Sequence, residues 1–76
     1  MDDFRIIGID PSLSNTGWAI LSLKKNNVSI LNTGVISTKN FSDISDRLFH
    51  ISNSLDNIFS ENKINEAAVE EVFINK

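Results

Sequence analysis

A chain of 76 residues, 41% of them hydrophobic, is enough for one small domain and no more. Seven Lys and Arg against ten Asp and Glu give a net charge of −3, which argues against a basic nucleic-acid coat but does not exclude a nucleic-acid enzyme whose acidic metal-binding residues lower the total. The absence of cysteine excludes a disulfide scaffold and a thiolate zinc site, and a small domain without such staples is expected in the reducing cytoplasm.

Residues Phe4 to Asp10 (FRIIGID) form a short, β-branched apolar run that reads as a buried strand. Pro11 ends it, because proline cannot donate to a ladder and pushes the preceding residue to extended geometry. Ser12 to Gly17 (SLSNTG) is turn chemistry. Gly17 to Leu23 reads as a second strand, Lys24 to Asn27 as a polar hairpin turn, and Val28 to Ser37 as a third strand. The internal Gly34 points to a bulge or a close backbone approach.

The apolar period then changes. Ile44, Leu48, Ile51, Leu55 and Ile58 recur at helical spacing, with Ser42 placed to cap the N-terminus and the helix fading in Ser60 to Lys63. Glu66 to Ile74 reads as a fourth strand. The order β-β-β-α-β is a single α/β domain, and a helix between two strands of one sheet makes the last strand parallel to a predecessor. No apolar run approaches the roughly 18 residues of a membrane span, and the acidic Asp2 and Asp3 are the reverse of a signal peptide's basic start.

Asp10 carries the most chemical weight. It closes a buried strand at the C-terminal edge, where open α/β sheets place their ligands. Its blander reading is an Asp-Pro turn with an Asx hydrogen bond. If the fourth strand neighbours the first, Glu70 or Glu71 joins Asp10 at one sheet edge, an arrangement suited to a divalent cation. The two glutamates point to opposite faces of a strand, so at most one shares that site, and periodicity does not choose between them. Phe73 suits either the core or a stacked base. Ser12, Ser14, Asn15 and Thr16 suit either phosphate contacts or the turn itself. His50 and Trp18 read as structural, and Lys24 and Lys25 as a solvated turn within possible reach of a phosphate.

Taken together, Ile7-Gly8-Ile9-Asp10-Pro11, Asn15-Thr16-Gly17-Trp18, Gly34 with Ile36 and Thr38, the pair Arg47-Leu48, and Ala68 to Lys76 (AVEEVFINK) resemble the RuvC family of Holliday-junction resolvases. The resemblance implies an RNase H-like (ribonuclease H superfamily) fold, with residues 1–76 as the N-terminal part of one nuclease domain. It implies a Mg²⁺-dependent endonuclease, with Mn²⁺ as a substitute, that resolves four-way DNA junctions as a homodimer alongside the RuvAB branch-migration complex. Asp10 matches the family's first catalytic, metal-binding carboxylate and Glu70 the second. Phe73 matches an aromatic used against bases, and Asn75 and Lys76 match positions that approach DNA. Ser12 departs from the usual glycine, and Ser14 from a residue often basic. Two further aspartates of the family lie beyond Lys76, so the 76 residues alone are expected to be inactive. The competing expectation is the phosphate-binding half of an actin-like ATPase or sugar kinase, which shares a strand that ends in Asp and a turn.

Overall fold

A computed structural model describes residues 3–12 and 14–69. Strands β1 (Phe4–Asp10), β2 (Asn15–Lys24) and β3 (Asn27–Ser37) form an antiparallel meander, followed by helix α1 (Ile44–Glu61) and strand β4 (Glu66–Val69). The sheet order is β3-β2-β1-β4, with β4 parallel to β1. The expected order and the parallel return are therefore present. The part of the fourth strand expected beyond Val69 lies outside the described residues.

The strands give the sheet two unlike faces. Cross-strand partners share a face, so the pairs Ile7–Ile20 and Ile9–Trp18 lie together, as do Thr16–Ile36 and Trp18–Gly34. Leu55 and Ile58 of α1, with Ile64 after it, pack against Ile7, Ile9 and Ile20 on this side. Ile7 and Ile20 are fully buried. Burying one such side chain contributes about 1.5–3 kcal/mol, so this small cluster carries much of what holds the layers together. The opposite face presents Ile6, Gly8 and Asp10 from β1, Gly17, Ala19, Leu21 and Leu23 from β2, and Val28, Ile30 and Val35 from β3. No described element covers it.

Asn65 sets the register of β4. Its N–H donates to the Arg5 carbonyl at 2.9 Å, and its side-chain Oδ1 accepts from the Arg5 N–H at 2.8 Å. The amide thus extends the ladder one position ahead of the first strand pair, Ile6–Glu66. Asn62 closes the helix in a similar way, its Nδ2 donating to the Ile58 carbonyl at 2.9 Å.

Two local expectations are corrected and two open alternatives are decided. The helix N-cap is Asp43, not Ser42, and its extended backbone makes no side-chain capping bond; the tie at this end is instead the Arg47 Nε donating to the Phe41 carbonyl at 2.7 Å. The apolar stripe is only half used: Ile51, Leu55 and Ile58 are half-buried, whereas Ile44 and Leu48 are exposed. The helix start overhangs the β1–β2 loop, leaving a gap of about 280 Å³ bounded by Pro11, Ser12, Thr16, Leu48 and Ile51. The sheet irregularity lies at Ile20/Leu21, where Leu31 is skipped in the pairing, and not at Gly34. Gly34 serves a close approach instead: a Cβ there would sit 2.6 Å from the Trp18 ring. Finally, Lys24 and Lys25 sit at the far end of β2. Seven residues separate Lys24 from Gly17, the partner of Asp10, or about 23 Å at 3.3 Å per residue. Those lysines do not reach a phosphate held at Asp10.

Candidate metal centre

Asp10 is the last residue of β1 and pairs with Gly17. The alternation of β1 turns its side chain to the uncovered face, beside Gly8 and across from Gly17. The carboxylate is exposed, and among the described residues it has no hydrogen bond or ion pair. The Asx reading of the Asp-Pro turn is thereby excluded. That turn needs the N–H two residues on, which here donates to Thr16 Oγ1 at 3.3 Å.

The loop after Asp10 is held from the other face. Thr16, 1% exposed, donates its hydroxyl to the Ser12 carbonyl at 2.9 Å while accepting from the Ser12 N–H. The Ser14 N–H donates to Ser12 Oγ at 3.3 Å, and the buried Thr38 donates its N–H to the Ser14 carbonyl at 3.0 Å. Asn15 is exposed and pairs with Ser37 as an ordinary strand residue. Of Ser12, Ser14, Asn15 and Thr16, the side chains of Ser12 and Thr16 therefore build the turn, Ser14 takes part through its backbone, and the Asn15 side chain takes no part in it. Thr16 in particular has no hydroxyl proton left for a phosphate.

An open trough of about 490 Å³ runs beside Asp10, floored by Gly8, Gly17, Ala19 and Ala68. Small residues in register on three strands leave the backbone bare. A Cβ added at Gly17 meets nothing within 4 Å, and one at Gly8 meets only the Ala19 carbonyl at 4.0 Å. The glycines are thus not demanded by packing within the described residues, and they leave room beside Asp10.

Strand β4 brings a second chain segment to the same edge. Its last described pair is Ile9–Val69, immediately before Asp10 and Glu70 in sequence. Glu70, Glu71, Phe73, Asn75 and Lys76 lie outside the described residues. Among the described residues no group of three or more His, Asp or Glu side chains is placed to hold a metal. Among the described residues that line this trough, Asp10 is the one carboxylate, and its unbonded, solvent-facing oxygens suit Mg²⁺, a hard cation held through one or two carboxylates and several waters.

The remaining candidates are structural. Trp18 packs on the core and covers Gly34. The His50 ring lies 5.1 Å from that of Phe41. Reading the sequence missed Asn65, whose signal is faint: an amide directly before a strand, following the apolar Ile64.

Comparison with known proteins decides the kinship. The family model for the crossover junction endodeoxyribonuclease RuvC matches residues 6–76. The chain belongs to the RuvC family. A crossover junction endodeoxyribonuclease RuvC from Ehrlichia ruminantium (strain Gardel) is 50% identical over 75 residues, covering 95% of this chain and 47% of the relative. Among solved structures, T. thermophilus RuvC in complex with Holliday junction substrate matches 96% of this chain and 45% of that one, with a TM-score of 0.84 at 22% identity. The Aquifex aeolicus PPX-GPPA enzyme matches 90% of this chain and 26% of that one, with a TM-score of 0.71 at 15% identity. Both structural likenesses show the RNase H-like fold expected from the resemblance. The chain spans about half the length of the RuvC relatives it matches. Among the described residues no helix is long and apolar enough to cross a membrane.

Proposed function

We propose that residues 1–76 form the N-terminal part of a single nuclease domain that supplies the first carboxylates of a Mg²⁺-dependent endonuclease acting on four-way DNA junctions. The observation that carries this reading is the state of Asp10: an exposed carboxylate, unbonded among the described residues, at the C-terminal edge of a buried strand beside an open trough. Membership of the RuvC family supports the substrate class.

In this reading Asp10 and Glu70 hold the cation. The parallel register that ends at Ile9–Val69 favours Glu70 as the partner. When bound, Mg²⁺ (or Mn²⁺ in its place) lowers the pKa of an attacking water and stabilises the leaving oxyanion. The chain's own contribution is to aim carboxylate oxygens at one point of the sheet edge and to keep the trough floor low. Phe73 would stack on a base near the crossover, and Asn75 and Lys76 would meet the DNA backbone. Acting on two strands of a symmetric junction requires two such sites, hence a homodimer of the complete protein, working in the cytoplasm with the RuvAB branch-migration complex. The 76 residues alone do not cut DNA.

The phosphate-binding half of an ATPase or sugar kinase is the weaker reading. A phosphate-binding turn would present the Ser12 N–H and the Thr16 hydroxyl, but the first donates to Thr16 Oγ1 and the second to the Ser12 carbonyl.

The test joins this chain to the C-terminal half of the E. ruminantium relative. Asp10→Asn and Glu70→Gln should each lower Mg²⁺-dependent junction cleavage by roughly a hundredfold or more while leaving junction binding in place. Undiminished cutting by either variant would remove that residue from the site. Cleavage by the 76-residue chain alone would overturn its assignment as an incomplete domain.

A further inference from the structure

We infer that Thr16 is a positioning residue: by occupying the backbone N–H of Ser12, it keeps the Asp10 carboxylate open to a cation. The inference rests on the reading of Asp10 as a metal ligand and adds a residue to it.

Three observations combine. First, Pro11 has no N–H, so the nearest backbone donor after Asp10 is that of Ser12. This is the group an aspartate captures in an Asx turn. Second, that N–H points instead to Thr16 Oγ1, 3.3 Å away, and the hydroxyl is fixed by its own 2.9 Å bond to the Ser12 carbonyl. Third, Thr16 is anchored on the covered face, 1% exposed and paired with the buried Ile36, while Asp10 turns to the uncovered one. The competing donor is thus drawn through the loop to the side away from the cation. A carboxylate that accepts a backbone N–H has one lone pair fewer for a metal and a fixed orientation. One that accepts none can turn its oxygens to the ion.

A merely structural clamp and a clamp that removes a competitor predict different results, because the competitor itself can be deleted. Mn²⁺ alone is titrated into the 76-residue chain, and binding is followed by paramagnetic broadening of the Asp10 and Gly17 amide signals. Thr16→Val, isosteric but without the hydroxyl, frees the Ser12 N–H and should weaken Mn²⁺ binding about threefold to tenfold. Thr16→Ser keeps the hydroxyl and should bind like the parent. Ser12→Pro removes the N–H together with the Oγ that accepts from Ser14, so it serves as a second background: within it, adding Thr16→Val should no longer weaken Mn²⁺ binding. Unchanged binding in Thr16→Val alone overturns the inference. So does an equal further loss on adding Thr16→Val to Ser12→Pro, since Thr16 then only holds the loop. In the parent the Ser12 amide should be protected from hydrogen exchange, and an unprotected amide overturns the inference even if Thr16→Val does not fold. Asp10→Asn separates the two levels: Mn²⁺ binding that does not depend on Asp10 removes the metal-ligand reading and this inference with it.

Discussion

The two faces of the sheet are drawn from alternating residues of the same strands, yet they do opposite work. One face pairs Ile7 with Ile20 and Ile9 with Trp18 under the helix. The other carries Asp10 at its edge, a floor of glycine and alanine, and Ile30, Val28 and Val35 more than 60% exposed. Stability and chemistry are thus kept on separate faces. A carboxylate needs water and room for an ion, whereas the strand that holds it needs an anhydrous, interlocked flank. A two-residue side-chain period satisfies both demands within one β1, with Ile7 and Ile9 turned inward and Asp10 outward.

Ile20→Ala removes a fully buried side chain from the covered face and should cost about 2–5 kcal/mol. In a chain with so few buried apolar side chains that leaves little folded protein. Ile30→Ala, on the uncovered face and 67% exposed, should stay within about 0.5 kcal/mol. Urea unfolding of both variants decides it, and equal losses would show that the two faces are packed alike.

Glycines sharpen the same contrast. At Gly34 on the covered face a new Cβ would meet the Trp18 ring at 2.6 to 2.9 Å. Gly34→Ala should therefore destabilise by about 1–3 kcal/mol through overpacking, with partial recovery when Trp18 is shortened to Leu. At Gly17 on the trough side a Cβ meets nothing within 4 Å and φ is not positive. Gly17→Ala should stabilise slightly, by about 0.4–1 kcal/mol, through the unfolded chain. A penalty at Gly17 equal to that at Gly34 would mean that the trough is already filled.

How far this division was legible in the sequence follows from the kind of force involved. The strands, the helix and the parallel return leave periodic apolar patterns, and Asp10 shows itself as a charge closing a buried run. The tie between Asn65 and Arg5 joins residues 60 apart and leaves no periodic trace. The Thr16–Ser12 exchange is equally silent, because a threonine in a turn looks the same whether its hydroxyl faces a ligand or the loop. Likewise the loss of Ile44 and Leu48 from the core depends on where the helix sits over the loop, not on their spacing. Patterns set by local geometry were readable. Choices among hydrogen-bond partners were not.

The smallest effect concerns the other end of β1, where an aspartate is treated in the opposite way to Asp10. Asp3 Oδ2 accepts from Arg5 Nε at 3.0 Å and from Ser22 Oγ at 2.8 Å, with Ser22 buried on the covered side. The hydrogen bond from Arg5, followed by that from Ser22, holds the Asp3 carboxyl below the ordinary aspartate range. A carboxyl lowered in the folded state binds its proton more readily when unfolded, so stability rises with pH across the shift. The contribution is complete above the unfolded value and disappears as the pH falls through the folded one. It should be modest, because the pair is partly solvated and screened by salt. Asp3→Asn should therefore lose a little stability near neutrality and flatten the fall between the ordinary aspartate value and the more acidic folded one, as read from urea midpoints across that range. An unchanged acid limb would mean that Arg5 and Ser22 do not hold this carboxylate in solution, and that β1 treats its two terminal aspartates alike.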